Sequence, residues 1–256
     1  MSASWLAATL RSRGSEFALR LGVFDSLRGI YHVVLNRDYR RELADLQLAF
    51  RPLIAPGSLV FDVGANKGEL TAVFSQLGAK VVSVEPNPAL AEHLRRRFRR
   101  ALVVEAAVGS NEGTTTLHLG IDSGHSTVSG RWKVVAKGRD RFSGSTVPVP
   151  VTTLDALIER YGTPAFVKID VEGNELAVLR GLSKPVQALC FEYQCLLLDE
   201  LRLSFDAIEA LGAYQFGRPQ GTHIKWTDCP TVMASIQSDC GRGVESGDVF
   251  ARLASA

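Results

Sequence analysis

Short apolar runs alternate with amphipathic segments between residues 59 and 105. Leu59–Val63 is apolar apart from its aspartate, as a strand buried on both faces requires. Leu70, Val73, Phe74 and Leu77 follow at the i, i+3, i+4, i+7 spacing of a helix that packs on one face. Two more apolar runs, separated by a second helical stretch, complete the pattern: KVVSVE over 80–85 and ALVVE over 101–105. This order predicts parallel strands joined by right-handed helical crossovers.

The same alternation resumes after residue 151 and indicates an α/β, Rossmann-like, doubly wound, mostly parallel sheet. The last two strands are expected to pair antiparallel. The predicted helices are Thr153–Tyr161, Asn174–Leu182 and Ser204–Leu211, the last with a serine cap, and the predicted strands are Ala165–Asp170, Gln187–Tyr193, Ala213–Phe216 and Asp248–Leu253.

The segment between about residues 108 and 151 interrupts this alternation. Thr114–Leu119 and Val147–Thr152 have the β-rich composition of strands. Between them, Gly120–Ser145 is rich in glycine, serine and charge and shows no clear period. A connection of this length is usually functional. We therefore predict a β/loop insertion that carries a flap.

The first 56 residues have a helical pattern of their own. Phe17, Leu21 and Phe24 recur at helical spacing, and Pro52 and Pro56-Gly57 end the helical region. We interpret residues 1–56 as a helical prefix that packs on a larger domain over 57–256. A cap over a substrate pocket is a secondary role for this prefix.

Composition excludes several classes of protein. Hydrophobic residues make up 46% of the chain and the formal net charge is +2, which is typical of a globular protein and offers no global attraction for nucleic acid. No apolar run reaches the roughly 18 residues that cross a bilayer, and no secretory signal is evident. The four cysteines form no CxxC pair, which favours reduced thiols. We expect a cytoplasmic protein without integral membrane contact, and a homo-oligomer remains open.

A glycine-containing turn follows the first predicted strand, with the sequence Asp62-Val63-Gly64-Ala65-Asn66-Lys67-Gly68. Glycines let a ligand approach the backbone closely, and the following helix offers unpaired N–H groups. Glu85 ends the second strand about 20 residues after Gly64, the spacing at which an acid binds ribose hydroxyls. Together these features predict an adenosine-containing ligand.

The residues of this turn favour a cationic ligand over a dinucleotide. A dinucleotide fingerprint places glycine at three set positions, whereas Asn66 occupies the third position here. Asp62 would repel a pyrophosphate but would attract the ammonium and sulfonium of S-adenosylmethionine. We therefore expect S-adenosylmethionine as the cofactor. The alternatives are an NAD(P)-dependent oxidoreductase and a non-catalytic cofactor-binding protein.

A second group of acids follows the strand predicted over 165–170. Asp170 and Glu172 lie two residues apart, so that an extended backbone places both side chains on one side, and Gly173 permits the next turn. These carboxylates, with Glu192 from the next strand, could take a proton from an acceptor or hold a divalent cation. Because the spacing fixes no third ligand, we predict no metal.

Four segments resemble the FkbM-like family of S-adenosylmethionine-dependent methyltransferases. The resemblance covers roughly residues 57–195, and the segments occur in the family's order. They are DVGANKGELT (62–71), VEPNPALAEHL (84–94), TLDALI (153–158) and VKIDVEGNEL (167–176). The resemblance implies a seven-stranded class I methyltransferase fold. It also implies O-methylation of a small molecule, sugar or natural-product intermediate.

The resemblance further implies which residues meet the cofactor. Glu105 and Ala106 end the third strand, where this fold class contacts adenine, and Asp170 flanks the methyl-transfer site. The cofactor-binding candidates are Asp62, Gly64, Ala65, Asn66, Gly68, Thr71, Glu85, Pro86, Asn87, Glu105, Ala106 and Asp170.

Three side chains are candidates for the catalytic step. A hydroxyl acceptor loses its proton as the methyl group arrives, so a base within hydrogen-bond reach helps. Asp170 is the first candidate, with Glu172 beside it. His125 lies in the flap with Trp132 nearby to exclude water, and a closing loop could deliver it. The expected acceptor is a glycan or small molecule that carries a hydroxyl group.

Overall fold

A computed structural model describes residues 44–45, 47–120, 126–135 and 142–254. Most of the predicted helical prefix, and His125, lie outside these ranges. The strands are β1 (Leu59–Val63), β2 (Lys80–Val84), β3 (Leu102–Val104), β4 (Ala107–Val108), β5 (Gly113–Gly120), β6 (Phe142–Thr152), β7 (Phe166–Ile169), β8 (Ala188–Gln194), β9 (Tyr214–Gln220), β10 (His223–Thr227) and β11 (Ser246–Leu253). The helices with determined bounds are α1 (Glu69–Gln76), α2 (Pro88–Arg97), α3 (Gly130–Val135), α4 (Leu154–Tyr161), α5 (Glu175–Arg180), α6 (Leu198–Glu209) and α7 (Cys229–Gly241).

The larger sheet has the strand order β10-β9-β11-β8-β7-β1-β2-β3. Strands β3, β2, β1, β7 and β8 run parallel, whereas β11 is antiparallel to β8 and β9, and β10 is antiparallel to β9. The seven predicted strands and the predicted antiparallel pairing of the last two are confirmed. The sheet nevertheless has eight strands, because the sequence pattern missed β10. This edge strand mixes charged and apolar residues and forms a hairpin with β9.

The crossovers diverge at the centre of this sheet. From β1 the chain moves outward through β2 and β3, and after the insertion it returns to β7 on the other side of β1. Ligands of open α/β sheets bind at the carboxyl ends of the strands at such a switch point. The turns after β1, β2 and β7 therefore share the edge where a site is expected.

The insertion forms a smaller sheet of three strands in the order β4-β6-β5. Strands β5 and β6 pair antiparallel and contain the two predicted insertion strands. The described part of the flap also contains α3, which the sequence pattern did not predict. A helix of less than two turns is too short to show a clear hydrophobic period.

The helix expected over Ser204–Leu211 begins earlier, at Leu198. Ser204 is therefore not an N-cap: its hydroxyl donates to the carbonyl of Glu200 (2.9 Å) inside the helix. The helix packs on the sheet through Phe205, whose ring meets those of β8 and β9 edge-on. A 3₁₀ turn over Cys195–Leu197 leads directly into the helix, which explains why no capping residue marks its start.

The compact unit that contains the sheet begins at Gln47, before the expected domain boundary at residue 57. Phe50 is 1% exposed. Its ring centroid lies 5.1, 5.4 and 5.6 Å from those of Phe74, Phe166 and Phe250 respectively. These partners belong to α1, β7 and β11, so Phe50 completes the core on one face of the sheet.

Two of the four cysteines form a disulfide. Cys195, directly after β8, pairs with Cys240 near the end of α7, with a Cα–Cα distance of 5.6 Å. The expectation of reduced thiols is wrong for this pair, because folding joins residues that are 45 positions apart. Cys190 is a free, buried strand residue, as predicted. Within the described ranges, every helix is too short or too polar to span a membrane.

Candidate active site

The turn after β1 lies against the end of β7. Gly64 and Gly68 have φ angles of +81° and +82°, in the left-handed region that favours glycine. A Cβ on Gly64 would lie 1.7 Å from the carbonyl oxygen of Asp170. The Asp170 amide in turn donates to the carbonyl of Val63 (2.9 Å). The glycine turn and the first acid of the second motif therefore touch through their main chains.

Asp62, at the tip of β1, is almost fully buried. Its carboxylate accepts a hydrogen bond of 2.5 Å from the hydroxyl of Thr71, which lies 2.9 Å from that of Ser83. Burial raises the pKa of Asp62 to about 6, although the Thr71 hydrogen bond and Lys168 oppose the shift. Thr71 is fully buried. The buried hydroxyl of Thr71 therefore holds the Asp62 carboxylate in place.

Glu85 ends β2 in a network of main-chain donors. Its two carboxylate oxygens accept hydrogen bonds of 2.9 Å from the amides of Asn66 and Asn87. Burial raises the pKa of Glu85 to about 7, and Asp62 and Asp170 raise it further while the two amides lower it. Asn66 has a φ of +49°, and its side-chain oxygen is buried without a hydrogen-bond partner among the described residues. The acid and this free acceptor lie at the same turn.

Three carboxylates gather where β7 and β8 end. Asp170, Glu172 and Glu192 each offer one oxygen within 4.8 Å of the others, so the set could hold a metal ion. Partial burial raises the pKa values of Asp170 and Glu192. The neighbouring Lys168 opposes the shift at both, and Asp170 raises the pKa of Glu192 further. Without a cation, the cluster therefore retains a proton more readily than isolated carboxylates do.

The chain between β7 and α5 is held by an acid of its own. Oε1 of Glu175 accepts hydrogen bonds from the amides of Val171 (3.1 Å) and Gly173 (3.2 Å). Burial raises the pKa of Glu175 to about 7, against the effect of these donors. Glu172, between the two amides, has a φ of +53°, which is uncommon for a residue with a side chain. Glu175 therefore stabilises the turn that presents Glu172.

The described part of the flap docks on this same turn. The hydroxyl of Thr127 donates to the carbonyl of Glu172 (2.7 Å). Trp132 is 1% exposed, and a Cβ on Gly173 would lie 2.7 Å from its side chain. Trp132 also packs on Leu197, which follows β8. Arg131 pairs with Asp199 and Glu200 at 2.5 and 2.8 Å. Residues 126–135 therefore pack on the turn that carries Glu172 and on the chain that follows β8.

The structure brings together most of the residues singled out from the sequence. The turn residues, Glu85 and Asp170 meet at the switch point, and Ala65, Pro86 and Asn87 adjoin them along the chain. Ala106 is buried after β3. Glu105 instead has a side chain that is 37% exposed and pairs with Arg95 at 2.9 Å. These placements leave the cofactor contacts themselves as predictions.

Sequence reasoning missed four polar residues of this region: Thr127, Lys168, Glu175 and Asp248. Lys168 had a signal, because it is a charge within an otherwise apolar strand. Glu175 had a weaker one, as the third acid of its motif. Asp248 had none, since it reaches the site only through the antiparallel pairing of β11 with β8.

Known proteins share this sequence pattern. Residues 62–214 match the family described as Methyltransferase FkbM domain. A curated relative, Hexuronic acid methyltransferase AglP of Haloferax volcanii, is 26% identical over 179 residues, which cover 69% of this chain and 70% of that protein.

Two solved structures are similar at low identity. The TehB-like SAM-dependent methyltransferase from Corynebacterium glutamicum has a TM-score of 0.44 and 12% identity, covering 93% of this chain and 99% of that one. The O-methyltransferase from Bacillus cereus in complex with SAH has a TM-score of 0.41 and 16% identity, covering 98% and 96%. The assignment rests on the sequence match, which spans more than half of the chain. The chain belongs to the FkbM methyltransferase family and is an S-adenosylmethionine-dependent methyltransferase.

Proposed function

We propose that this methyltransferase transfers its methyl group to a hydroxyl oxygen of a sugar or a related small molecule. The proposal rests on the contact between Gly64 and Asp170, because it sets the cofactor turn directly against a cluster of acids. Methyl transfer needs a donor site and a proton acceptor side by side. The rival oxidoreductase needs no such acid cluster beside its cofactor.

The residues present fit a cofactor that carries a positive charge and a ribose. Three acids, Asp62, Glu85 and Asp170, lie around the turn. The buried side-chain oxygen of Asn66 has no hydrogen-bond donor among the described residues, so a ligand could supply one. We assign Glu85 to the ribose hydroxyls, Asp62 and Gly64 to the amino-acid end, and the Glu105–Ala106 segment to adenine. When bound, S-adenosylmethionine supplies a methyl group that its sulfonium already activates.

Asp170 is the proposed base for the acceptor. Its side chain is 41% exposed, so a substrate hydroxyl can reach it. Glu172 and Glu192 each have a carboxylate oxygen within 4.8 Å of one of its own, and they offer places to which the proton can move. Residues 126–135 exclude water from one side, which strengthens electrostatic interactions in the site. His125 stays a proposed second base, outside the described residues.

A sugar acid is the acceptor class to try first. The curated relative is named for the methylation of a hexuronic acid, and it matches over most of both chains. Free glucuronate and galacturonate, their methyl glycosides and neutral hexoses therefore make a suitable panel. A neutral sugar in place of an acid would change the acceptor but leave the hydroxyl chemistry intact.

Calorimetry and a labelled-methyl assay test this function. We expect S-adenosylmethionine and S-adenosylhomocysteine to bind, NAD and NADP not to bind, and label to appear in an ether of at least one sugar. Label found in a carboxyl ester would show that the enzyme methylates a carboxylate and not a hydroxyl. Binding of NADP without binding of S-adenosylmethionine would favour the oxidoreductase. Binding without any transfer would favour the non-catalytic alternative.

Asp170→Asn tests the base directly. We expect turnover to fall about 10²–10⁴-fold, the range of general base catalysis, with cofactor affinity nearly unchanged. Asp206→Asn, an exposed aspartate on α6, is the matched control. Equal losses of turnover and affinity would contradict the acceptor-side role.

The same carboxylates raise the question of a metal. We propose that proton transfer proceeds without one, so dialysis against EDTA should leave turnover unchanged. Loss of turnover that Mg²⁺ or Mn²⁺ restores would show instead that Asp170, Glu172 and Glu192 bind a cation that acidifies the acceptor hydroxyl.

We propose the cytoplasm as the compartment, because the donor is expected to be available there. The Cys195–Cys240 disulfide is a feature more typical of oxidising compartments. Alkylation of all free thiols in freshly lysed cells tests this compartment. If only two of the four cysteines are alkylated, the Cys195–Cys240 pair is already oxidised in the cell, which argues for an oxidising compartment.

A further inference from the structure

Lys168 is a buried cation at the centre of the sheet to which the proposed proton transfer assigns no role. In register it lies between Asp62 of β1 and Cys190 of β8. Its side chain is only 4% exposed. Taking an ammonium group out of water is costly unless it is paired and hydrogen-bonded. The partners of Lys168 therefore indicate what it stabilises.

Lys168 lies at different distances from its two carboxylate neighbours, Asp248 and Asp170. Its Nζ atom donates to Asp248 Oδ1 at 2.8 Å and makes a longer contact of 3.4 Å with the carbonyl of Ile169. Oδ2 of Asp170 lies at 3.7 Å, which is within ion-pair distance but too long for a hydrogen bond. Asp248 thus takes the direct bond, and charge alone attracts Asp170 to Lys168.

Asp248 comes from outside the segment that matches the family. The match ends at residue 214, whereas Asp248 lies on β11. There it is the cross-strand partner of Glu192, a member of the acid cluster. The last strand of the chain therefore supplies a charge to the site.

We propose that Lys168 and Asp248 form a positioning pair that sets the orientation of the Asp170 carboxylate. Asp248 keeps the ammonium group from closing onto Asp170 and occupying the oxygen that the acceptor hydroxyl needs. Lys168, at 3.7 Å, holds that carboxylate in one orientation. This inference rests on the proposed acceptor-side role of Asp170.

Asp248→Asn is the first test, because it removes the charge but keeps a hydrogen-bond acceptor. We expect Lys168 to move onto Asp170, so that a crystal structure shows the Nζ–Oδ2 separation shortened to hydrogen-bond distance. Turnover should fall by about tenfold or more, with the dissociation constant for S-adenosylhomocysteine within about threefold of wild type.

The double variant Lys168→Met/Asp248→Leu separates positioning from folding. Replacing a buried ion pair with apolar residues often leaves stability intact, so we expect a melting temperature close to wild type. Turnover should stay low, and the Asp170 carboxylate should adopt another rotamer. Arg218→Met/Asp239→Leu is the matched control, since it removes an ion pair between β9 and α7. The control should turn over like wild type.

Wild-type turnover in the folded double variant would show that the pair serves only the fold and would overturn the proposal. An Asp170 carboxylate in the same orientation in all variants would overturn it as well, and so would a loss of S-adenosylhomocysteine affinity as large as the loss of turnover. If the wild type methylates no acceptor, the proposed function fails, and the crystal structures still decide the positioning of Asp170.

Discussion

Gly64 and Asp170 are in main-chain contact, and a single added carbon atom would abolish that contact. A Cβ on Gly64 would lie 1.7 Å from the carbonyl oxygen of Asp170. This oxygen belongs to the backbone, so it can move only if β7 or the turn moves. The contact ties the proposed cofactor side of the site to the proposed acceptor side.

Gly64→Ala should therefore destabilise the fold by at least about 3 kcal/mol and abolish S-adenosylhomocysteine binding. Gly57→Ala is the matched control, because Gly57 also has a positive φ (+83°) but no atom within 4 Å of the added carbon. The control should cost only the strain of the left-handed region, about 1–2 kcal/mol. Denaturant unfolding and calorimetry measure both effects. Similar losses in the two variants would mean that the contact contributes nothing beyond backbone strain.

Glu85→Ala should weaken binding of S-adenosylmethionine by about 1–3 kcal/mol, because ribose hydroxyls would lose a charged acceptor. It also releases the amides of Asn66 and Asn87. Glu92→Ala, on the exposed face of α2, should leave the affinity unchanged. Titration calorimetry checks both variants, and equal affinities for Glu85→Ala and wild type would remove Glu85 from the cofactor site.

Stability should fall as the pH rises from about 4 to about 7. Burial raises the folded-state pKa of Asp62 to about 6, and those of Glu85 and Glu175 to about 7. The folded protein therefore binds more protons than the unfolded chain in this window, and the free energy of unfolding decreases as these protons are lost. Thermal melts across the window measure the slope.

Glu175→Gln is the control for this pH dependence. Its side-chain oxygen can still accept from the amides of Val171 and Gly173, but it does not titrate. The variant should show a shallower slope than wild type below pH 7. A stability that rises with pH over the same range would contradict the raised pKa values.

Thr127→Val should loosen the flap segment from the Glu172 turn. The variant keeps the shape of the side chain but removes the hydroxyl that bonds to the Glu172 carbonyl and accepts from the Ser129 amide. We expect the free energy of unfolding to fall by about 1–2 kcal/mol. Turnover should also fall, while the affinity for the cofactor stays unchanged. Thr127→Ser should restore turnover, and Thr116→Val, exposed on β5, should have no effect. Unchanged turnover in Thr127→Val would show that this contact does not support the reaction.

Loss of the disulfide should cost about 2–4 kcal/mol in the free energy of unfolding. Cys195→Ser/Cys240→Ser removes the link between the end of β8 and α7, and Cys229→Ser, a free cysteine, is the control. Unfolding with and without reductant provides the measurement. Wild-type protein that is insensitive to reductant, and as stable as the double variant, would show that the bond does not form.

Much of the fold follows from patterns that are local in sequence. The alternation of apolar runs with helical stripes predicted the seven strands and the parallel centre of the sheet. The edge strand β10, the short α3 and the start of α6 escaped the same method, because the first two are brief or mixed in character and α6 has no capping side chain. The glycine turn and Glu85 could also be predicted from the sequence, because their spacing reflects one strand–helix–strand unit.

Only part of the proposed acceptor side could be predicted from the sequence. Asp170 and Glu172 stood out because they adjoin one another at a strand end. The sequence also offered Glu192, from the next strand, as their companion. Asp248 did not stand out, because it belongs to a strand that pairs with β8 only once the chain has folded. No spacing in the sequence could have linked Lys168 to Asp248, or Cys195 to Cys240.

The sequence by itself therefore determined the element pattern, the family and the position of the glycine turn, because each of these depends on residues within one or two neighbouring elements. Only the tertiary structure decided that Asp248 lies beside these acids, that Lys168 faces them, and which part of the insertion packs on the Glu172 turn. Those relationships depend on sheet order and antiparallel register, and these are set by the burial of side chains from the whole chain at once.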